Sequence, residues 1–328
     1  MDIAIDLGTA NTLIYLRDRG VVLNQPSIVA LNPKGDIVAI GHEALLMHEK
    51  THSNIRTVKP LQGGVIADYG IAEMMIRELV KKVKKNWFMR TRNMFVCIPT
   101  GITDVERMAV RDSAKHAGAR KVYLVEETVA AAIGIGMDVN EPVGNMIVDI
   151  GGGTTEIAII SLAGTVYSNS LRIGGDKLNE DIVSYFRRSH NLLIGLRTAE
   201  KVKFEIGSAT PLDPELEMMV KGRDLVSGFP KHRVATSKDV RNAISESING
   251  YVEAIKKSLE QTPPELASDI LDRGITLTGG GALLRNLDVL IQDAIGLPIH
   301  IAEDPLTAVV RGTGMILEDL DQYKYVIT

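Results

Sequence analysis

Short apolar runs alternate with amphipathic stretches along the chain, and two of the apolar runs lead into nearly the same turn. Residues 3–5 precede a turn at residues 6–12, and residues 146–148 precede one at residues 149–155. Each position of the second copy lies 143 residues after its counterpart, as Asp149 does after Asp6. A second apolar run follows each turn, so each copy predicts a strand, a tight glycine turn and a strand. The repeat predicts two similar domains that face a shared ligand.

The rest of the pattern alternates strand-like and helix-like segments, which predicts an α/β protein. We expect helices over residues 68–86, 103–118, 237–261 and 282–295. Thr103 and Glu106 form a capping-box pattern, and Ser237 is the predicted cap of the long helix. Residues 32–67 and 208–236 are more irregular, so we interpret them as parts of small subdomains.

Composition narrows the class of protein. A length of 328 residues favours two domains, and 45% hydrophobic with 24% charged residues is ordinary for a soluble globular protein. The net charge of −4 argues against nucleic acid as the main partner. The single cysteine, Cys97, lies in an apolar run and is predicted to be buried. One cysteine cannot form a disulfide within the chain, which fits a reducing cytoplasm. No apolar run approaches the length of a membrane span, and the N-terminus enters a strand directly, so no secretory signal is expected.

The two turns carry the residue types that hold a phosphate. Successive backbone N–H groups of a glycine turn form a concave site for an anion. The backbone of Gly8, Gly151, Gly152 and Gly153 would approach phosphate oxygens, and Thr9, Asn11, Thr12, Thr154 and Thr155 would add side-chain contacts. Asp6 and Asp149, one at each entrance, would hold a magnesium ion through its water shell.

A third glycine run, Gly279, Gly280 and Gly281 followed by Ala282, lies between a predicted strand and a predicted helix. Such a turn can accept a phosphate or let a ligand ring lie close to the backbone. A simple strand-to-helix connection explains it equally well.

Acidic and basic residues elsewhere have two interpretations each. Glu126 and Glu127 follow a buried strand, where one of them could position a water molecule that attacks a phosphate; a carboxylate at a helix N-terminus is also favoured by the helix dipole alone. Glu200 and Lys203 share one helix face, as ligand contacts or as a surface ion pair.

Together these segments resemble the actin/heat-shock-chaperone/sugar-kinase ATPase superfamily, and most closely the MreB-type bacterial actins. The matching segments are residues 6–12, 64–69, 126–132, 149–156, 197–200, 263–266, 278–287 and 302–305, and the resemblance covers essentially the whole chain. The chain departs from the usual family pattern at two points. Thr128 replaces the proline that usually follows the catalytic glutamate, and no amphipathic segment precedes the first strand.

The resemblance implies an actin-like fold of two ribonuclease-H-like lobes, each with a small inserted subdomain, and a nucleotide cleft between them. It places residues 1–31 and 68–143 in the first large subdomain, with a tail of about 310–328 returning to it, and residues 32–67 in the first small one. Residues 144–190 and 237–309 form the second large subdomain, and residues 191–236 the second small one.

The resemblance also implies residue roles. Thr9, Ala10 and Asn11 with Gly152, Gly153 and Thr154 would hold the phosphates of ATP. The helix segment of Glu200, Lys201, Val202 and Lys203 would contact the adenosine, flanked by Gly280, Gly281 and Ala282. Glu127 would position the attacking water, with Asp149 as its catalytic partner beside magnesium.

The function implied is a slow, magnesium-dependent ATPase that polymerises into membrane-associated filaments and directs cell-wall growth in rod-shaped cells. Its expected partners are further copies of itself, the anionic inner face of the cell membrane and membrane proteins of the cell-wall elongation machinery. Alternatives within the superfamily are a metabolic kinase and a chaperone; an alternative outside enzymes is a non-hydrolysing scaffold. No acceptor-pocket signature or peptide-binding domain favours the first two, and the acids at Asp6, Glu127 and Asp149 count against the third.

One segment suggests how such a filament would reach a membrane. Trp87, Phe88 and Met89 are bulky apolar residues between lysines and arginines, where a helix and a strand connect. Aromatic residues enter the membrane interface, and the cations attract anionic lipid. Packing within a buried loop is the alternative.

Overall fold

A computed structural model describes residues 1–52, 54–84 and 91–327. Its strands are β1 (Asp2–Leu7), β2 (Asn11–Leu16), β3 (Gly20–Pro26), β4 (Val29–Leu31), β5 (Ile37–Ile40), β6 (Arg56–Val58), β7 (Leu61–Gln62), β8 (Val65–Ile66), β9 (Thr91–Ile98), β10 (Ala119–Glu126), β11 (Asn145–Ile150), β12 (Thr155–Ser161), β13 (Gly164–Leu171), β14 (Leu192–Leu193), β15 (Glu217–Asp224), β16 (Pro230–Thr236), β17 (Ile275–Thr278) and β18 (Ile299–Ile301). Its helices are α1 (His42–Met47), α2 (Tyr69–Val83), α3 (Asp104–His116), α4 (Glu127–Gly134), α5 (Gly175–His190), α6 (Leu196–Ile206), α7 (Ser237–Glu260), α8 (Pro264–Arg273), α9 (Leu287–Ile295) and α10 (Ala308–Glu318). The predicted α/β class is confirmed.

Two five-stranded sheets form the frame, in the orders β10-β9-β1-β2-β3 and β13-β12-β11-β17-β18. Each contains one of the predicted hairpins, β1–β2 or β11–β12, whose last pairs before the turn are Leu7 with Thr12 and Ile150 with Thr155. A parallel strand flanks each hairpin, β9 beside β1 and β17 beside β11. The sequence repeat is therefore a repeat of sheet topology, and the two hairpins are equivalent elements of two lobes.

A small three-stranded sheet accompanies each large one, β5-β4-β6 in the first lobe and β14-β15-β16 in the second. The first small sheet already begins at Val29, before the predicted start of that subdomain at residue 32. The prediction of irregular structure over residues 208–236 was wrong for much of that segment, because β15 and β16 form a hairpin there. Charged residues occupy many of its outward positions, so the apolar alternation that marks a strand is weak.

Helix ends mostly follow the expected capping chemistry. The capping box of Thr103 and Glu106 is confirmed at α3. The cap of α7 is Thr236 rather than the predicted Ser237, because Ser237 is buried and its hydroxyl accepts a hydrogen bond from the Leu216 N–H at 3.0 Å. The single helix predicted over residues 282–295 is interrupted: a 3-10 turn ends at Leu283, and left-handed Asn286 precedes α9.

The C-terminal helix α10 packs against α4 and the first large sheet. A Cβ at Gly312 would lie 1.7 Å from the Ala130 carbonyl oxygen, and one at Gly134 would lie 2.0 Å from that of Ala308. Two glycines and the alanines of α4 therefore permit the close approach of the two helices. Both helices belong to a core that also joins inward residues of the two large sheets, including buried Cys97. This shared core fixes the two lobes at one end and leaves a cleft between their hairpins.

Among residues 1–52, 54–84 and 91–327, no helix combines the length and apolar character needed to cross a bilayer.

Candidate functional site

A cavity of ≈ 430 Å³ lies between the two hairpins, within the range of small-molecule sites. It is lined by most of the residues that the sequence singled out: Asp6, Gly8, Thr9, Ala10, Asn11, Glu127, Asp149, Gly151, Gly152, Gly153, Thr154, Glu200, Lys203, Gly279, Gly280 and Gly281. Residues from opposite ends of the chain, such as Asp6 and Gly279, thus share one cavity.

The first hairpin turn is held by side chains of its own lobe. Ser27 donates through its hydroxyl to the Gly8 carbonyl at 2.6 Å and through its N–H to the Ala10 carbonyl at 2.9 Å. The Thr9 hydroxyl accepts from the Gly64 N–H at 3.0 Å. These bonds occupy two carbonyls of the turn and fix its backbone before any ligand binds.

The second turn touches the first across the cleft. A Cβ at Gly152 would lie 2.6 Å from that of Ala10, and a Cβ at Gly153 would lie 2.5 Å from the Thr9 hydroxyl. Only glycine permits this approach. The carbonyls of Gly151 and Gly152 accept from the first N–H groups of α5, at 3.0 and 2.8 Å, so the turn and the helix N-terminus hold each other in place.

Three acids stand at the floor of the cavity. Burial raises the pKa of Asp6 to about 7, and burial with the charges of Asp6 and Glu156 raises the pKa of Asp149 to about 7. The pKa of Glu127 is raised well above its usual range, mainly by burial and then by the same acidic neighbours. Glu126 is oriented differently, because its carboxylate accepts from the Thr165 hydroxyl at 2.9 Å. Of the two adjacent glutamates, Glu127 is the one that lines the cavity.

Helix α6 and the third glycine run form further parts of the cavity wall. Lys203 donates from Nζ to the Gly175 carbonyl at 2.9 Å, and burial lowers its pKa to about 8. A Cβ at Gly279 would lie 2.3 Å from the nearer carboxylate oxygen of Asp149, and one at Gly281 would lie 2.2 Å from Ile150. The glycine run therefore packs on the end of β11 and leaves the backbone open to the cavity.

Three predicted contacts of the adenosine lie elsewhere. Val202 is fully buried in the second lobe's core, and Lys201 points outward, 3.5 Å from Glu205. Neither lines the cavity, since a helix turns by about 100° per residue and residues 201 and 202 leave the face shared by Glu200 and Lys203. Ala282 is buried behind the glycine run.

Two threonines expected to contact a phosphate instead brace the hairpins from within. Thr12 and Thr155 are both buried. The Thr12 hydroxyl lies 2.9 Å from that of Ser27, and the Thr155 hydroxyl donates to the Ile173 carbonyl at 2.7 Å. Each is the first residue after its turn to pair across the hairpin, and its buried side chain points into the fold rather than into the cavity.

Further residues that the sequence analysis did not predict also line the cavity. Phe204, Asp176, Arg285 and Leu306 line it. Phe204 lies four residues after Glu200, so helical spacing alone could have predicted that it shares the face of α6 that lines the cavity. The predicted membrane residues Trp87, Phe88 and Met89 lie outside the described residues.

The acids of the cavity suit a hydrated magnesium ion rather than a directly liganded metal. In the described parts of the chain, no three His, Cys, Asp or Glu side chains form a ligand group. Magnesium usually keeps several waters and uses one or two carboxylates together with substrate phosphates. The pKa values of Asp6 and Asp149 are raised because burial disfavours their charged forms, and a divalent ion would offset that cost.

The fold and the cavity define an actin-like protein, with two lobes that enclose a ligand site between matching hairpins. The chain belongs to the MreB/Mbl family, whose model matches residues 1–325. It is 52% identical to the cell shape-determining protein MreB of Escherichia coli strain K12, over 98% of this chain and 94% of that protein. It is 45% identical to the cell shape-determining protein Mbl of Bacillus subtilis strain 168, over 98% and 97% of the two chains.

Comparison with solved structures supports the same fold. MreB5 of Spiroplasma citri bound to AMPPNP superposes with a TM-score of 0.93 at 41% identity, covering 98% of this chain and 97% of that one. The MamK double helical filament superposes with a TM-score of 0.82 at 22% identity, over 97% and 99% of the two chains, and supports the fold alone.

Proposed function

We propose that this protein binds ATP with magnesium in the cleft, hydrolyses it slowly to ADP and phosphate, and couples hydrolysis to the assembly of filaments that determine cell shape. The observation that carries this proposal is the pair of glycine hairpins in contact across a cavity that also contains three acids. A relative that is 41% identical is described as bound to AMPPNP, and a structure of the same protein is described as bound to ADP.

The residues that line the cavity support the following proposed roles. The turn at Thr9, Ala10 and Asn11 and the turn at Gly152 and Gly153 would hold the phosphates between them. The adenosine would lie between α6, through Glu200 and Lys203, and the open backbone of the third glycine run. Bound magnesium would neutralise phosphate charge through water molecules held by Asp6 and Asp149.

Hydrolysis would depend on position and charge, with no covalent intermediate. Glu127 lies at the first turn of α4, on the cavity floor, where it can orient a water toward the terminal phosphate. In the free protein its carboxyl group retains its proton more readily than an ordinary glutamate, because it is buried and its charged neighbours are acids. Closure of the lobes during assembly would bring Glu127 and its water into line.

Assembly and location extend the proposal. Relatives covering nearly the whole chain are named cell shape-determining proteins, which supports filaments that guide cell-wall growth with the elongation machinery. We propose that these filaments lie at the inner face of the cell membrane and that Trp87, Phe88 and Met89 anchor them. One such loop would bind weakly, and a filament would present many together.

The subdomain boundaries predicted from the sequence are part of the proposal. The large sheets support residues 1–31, 68–143 and the tail from about 310 as one body, and residues 144–190 with 237–309 as another. The small sheets support residues 32–67 and 191–236 as the two outer subdomains, except that β4 (Val29–Leu31) belongs to the first small sheet and moves that boundary to residue 29.

Negative-stain microscopy with and without ATP, on anionic lipid, paired with phosphate release, tests the whole proposal. We expect ATP-dependent filaments, and hydrolysis per molecule that rises with protein concentration without any added metabolite. Hydrolysis that requires an acceptor metabolite would indicate a kinase instead, and filaments without phosphate release would indicate a scaffold.

A further inference from the structure

Glu156 is a buried acid that the roles above do not use. It lies in β12 of the second lobe, 1% exposed, and pairs across the hairpin with Asp149. Burial raises its pKa, and hydrogen bonds from Ser170 and Thr100 counter this effect. A buried carboxylate is costly to retain without a cation. Each of its two carboxylate oxygens accepts a separate hydrogen bond, which indicates that the carboxylate links the two donor segments.

One of those bonds crosses between the lobes. The Thr100 N–H donates to Glu156 Oε2 at 3.2 Å, while the Ser170 hydroxyl donates to Oε1 at 2.6 Å. Thr100 lies two residues beyond the end of β9, in the first lobe, and Ser170 lies in β13 of the second lobe. The carboxylate thus ties the end of a first-lobe strand to the second-lobe sheet beside the cavity.

From Thr100 the contact continues to the helix that carries Glu127. The Thr100 hydroxyl lies 3.4 Å from that of Thr128, which is fully buried. Thr128 follows Glu127 directly in the first turn of α4.

We propose that Glu156 is a positioning residue for ATP hydrolysis, which acts through Thr100 and Thr128 to fix Glu127 relative to the second hairpin. The inference rests on the proposed function, because it requires Glu127 to orient the attacking water. Since Glu156 belongs to one lobe and Glu127 to the other, the bond forms only when the lobes have the correct relative placement. A small displacement of a catalytic group can cost about a hundredfold in rate.

Single-turnover phosphate release, ATP-analogue affinity and thermal unfolding of Glu156→Ala, Glu156→Gln, Thr128→Val and Ser170→Ala test the inference. Glu156→Ala should lower the hydrolysis rate by about ten- to a hundredfold and leave affinity for the analogue unchanged. Glu156→Gln retains an oxygen that accepts from Thr100, so it should recover most of the rate. Thr128→Val should slow hydrolysis, while Ser170→Ala, which leaves the Thr100 bond intact, should match the wild type.

A double-mutant cycle separates positioning from a general structural role. If Glu156 acts through Glu127, then Glu156→Ala should have little further effect in a Glu127→Ala background. An equal loss in both backgrounds would overturn the inference, as would wild-type hydrolysis by both Glu156→Ala and Thr128→Val. If Glu156→Ala does not fold, the same comparison is made with Thr128→Val in the two backgrounds, and the same outcomes apply.

The proposed function and this inference fail in different ways. Wild-type hydrolysis by Glu127→Ala would overturn the proposed catalytic role together with this inference. A slow Glu127→Ala with a normal Glu156→Ala would overturn the inference alone.

Discussion

The carboxylate of Glu49, in the first lobe, accepts a hydrogen bond from the backbone N–H of Leu196, the first residue of α6 in the second lobe, at 3.0 Å. Its other oxygen lies 3.5 Å from the Arg197 N–H. A carboxylate at a helix N-terminus satisfies free N–H groups and complements the helix dipole. Helix α6 also carries Glu200 and Lys203, which line the cavity. The contact of Glu49 therefore connects the first lobe to a helix that forms part of the cavity wall.

We therefore expect Glu49→Ala to weaken binding of a fluorescent ATP analogue. An exposed charge at a helix terminus corresponds to about a two- to fivefold change in affinity. The difference between Glu49→Ala and the wild type should shrink at high salt, since surface charges are screened. Glu43→Ala is the matched control, because Glu43 is exposed on the same lobe and lies at the opposite end of α1. An equal loss in the control would show that the contact has no specific effect.

Glu127→Ala should retain ATP binding and slow phosphate release by about a hundredfold or more, the usual contribution of a positioned acid or base. Glu126→Ala is its control: Glu126 differs by one position, and its carboxylate bonds to Thr165 instead of facing the cavity. Phosphate release measured with a coupled assay distinguishes the two. Normal hydrolysis by Glu127→Ala would transfer the role to Glu126 or Asp149.

The hairpins were predictable because glycine, aspartate and apolar residues recur at one constant offset, and local spacing is enough to specify a tight turn. Lys201 and Val202 were predicted to contact the adenosine because they lie between Glu200 and Lys203 in the sequence. Helical geometry places both on other faces of α6. The bond between Thr100 and Glu156 had no local signal at all, because it depends on how two lobes are placed relative to each other. The sequence therefore predicts the turns that form the site. The contact that aligns the two lobes is visible only in the tertiary structure.

The buried acids of the cleft should make stability fall as pH rises. Asp149 has its pKa raised from 3.8 to about 7, so between those values the folded protein retains a proton that the unfolded chain has lost. Its contribution to stability is therefore complete below about pH 4 and disappears as pH approaches 7. We expect the thermal midpoint of the nucleotide-free protein, measured with a chelator, to decrease over this range. Asp149→Asn should show a weaker dependence, and an unchanged slope in that variant would contradict the assignment.

Trp87 and Phe88 should be required for pelleting with vesicles that contain anionic lipid. Serine at both positions removes apolar surface that can enter the interface and leaves the flanking cations in place. We expect the double variant Trp87→Ser, Phe88→Ser to remain in the supernatant while it hydrolyses ATP and forms filaments in solution. Undiminished pelleting would exclude this segment as the anchor. Exchange of the flanking lysines for glutamine should reduce binding mainly at low salt.

Gly279→Ala should abolish nucleotide binding, and Gly296→Ala should not. Both glycines have φ of 78°, so an added Cβ strains the backbone at each site by a similar amount, about 1–2 kcal/mol. Their surroundings differ: a Cβ at Gly279 would lie 2.3 Å from a carboxylate oxygen of Asp149, whereas a Cβ at Gly296 has no atom within 4 Å. We expect a larger loss of thermal stability in Gly279→Ala, because its Cβ would also lie 2.5 Å from the Ile150 carbonyl oxygen. At a temperature where both variants are folded, ATP-analogue binding should be lost only in Gly279→Ala. Equal binding by both would show that the third glycine run is a simple connection and not a wall of the nucleotide site.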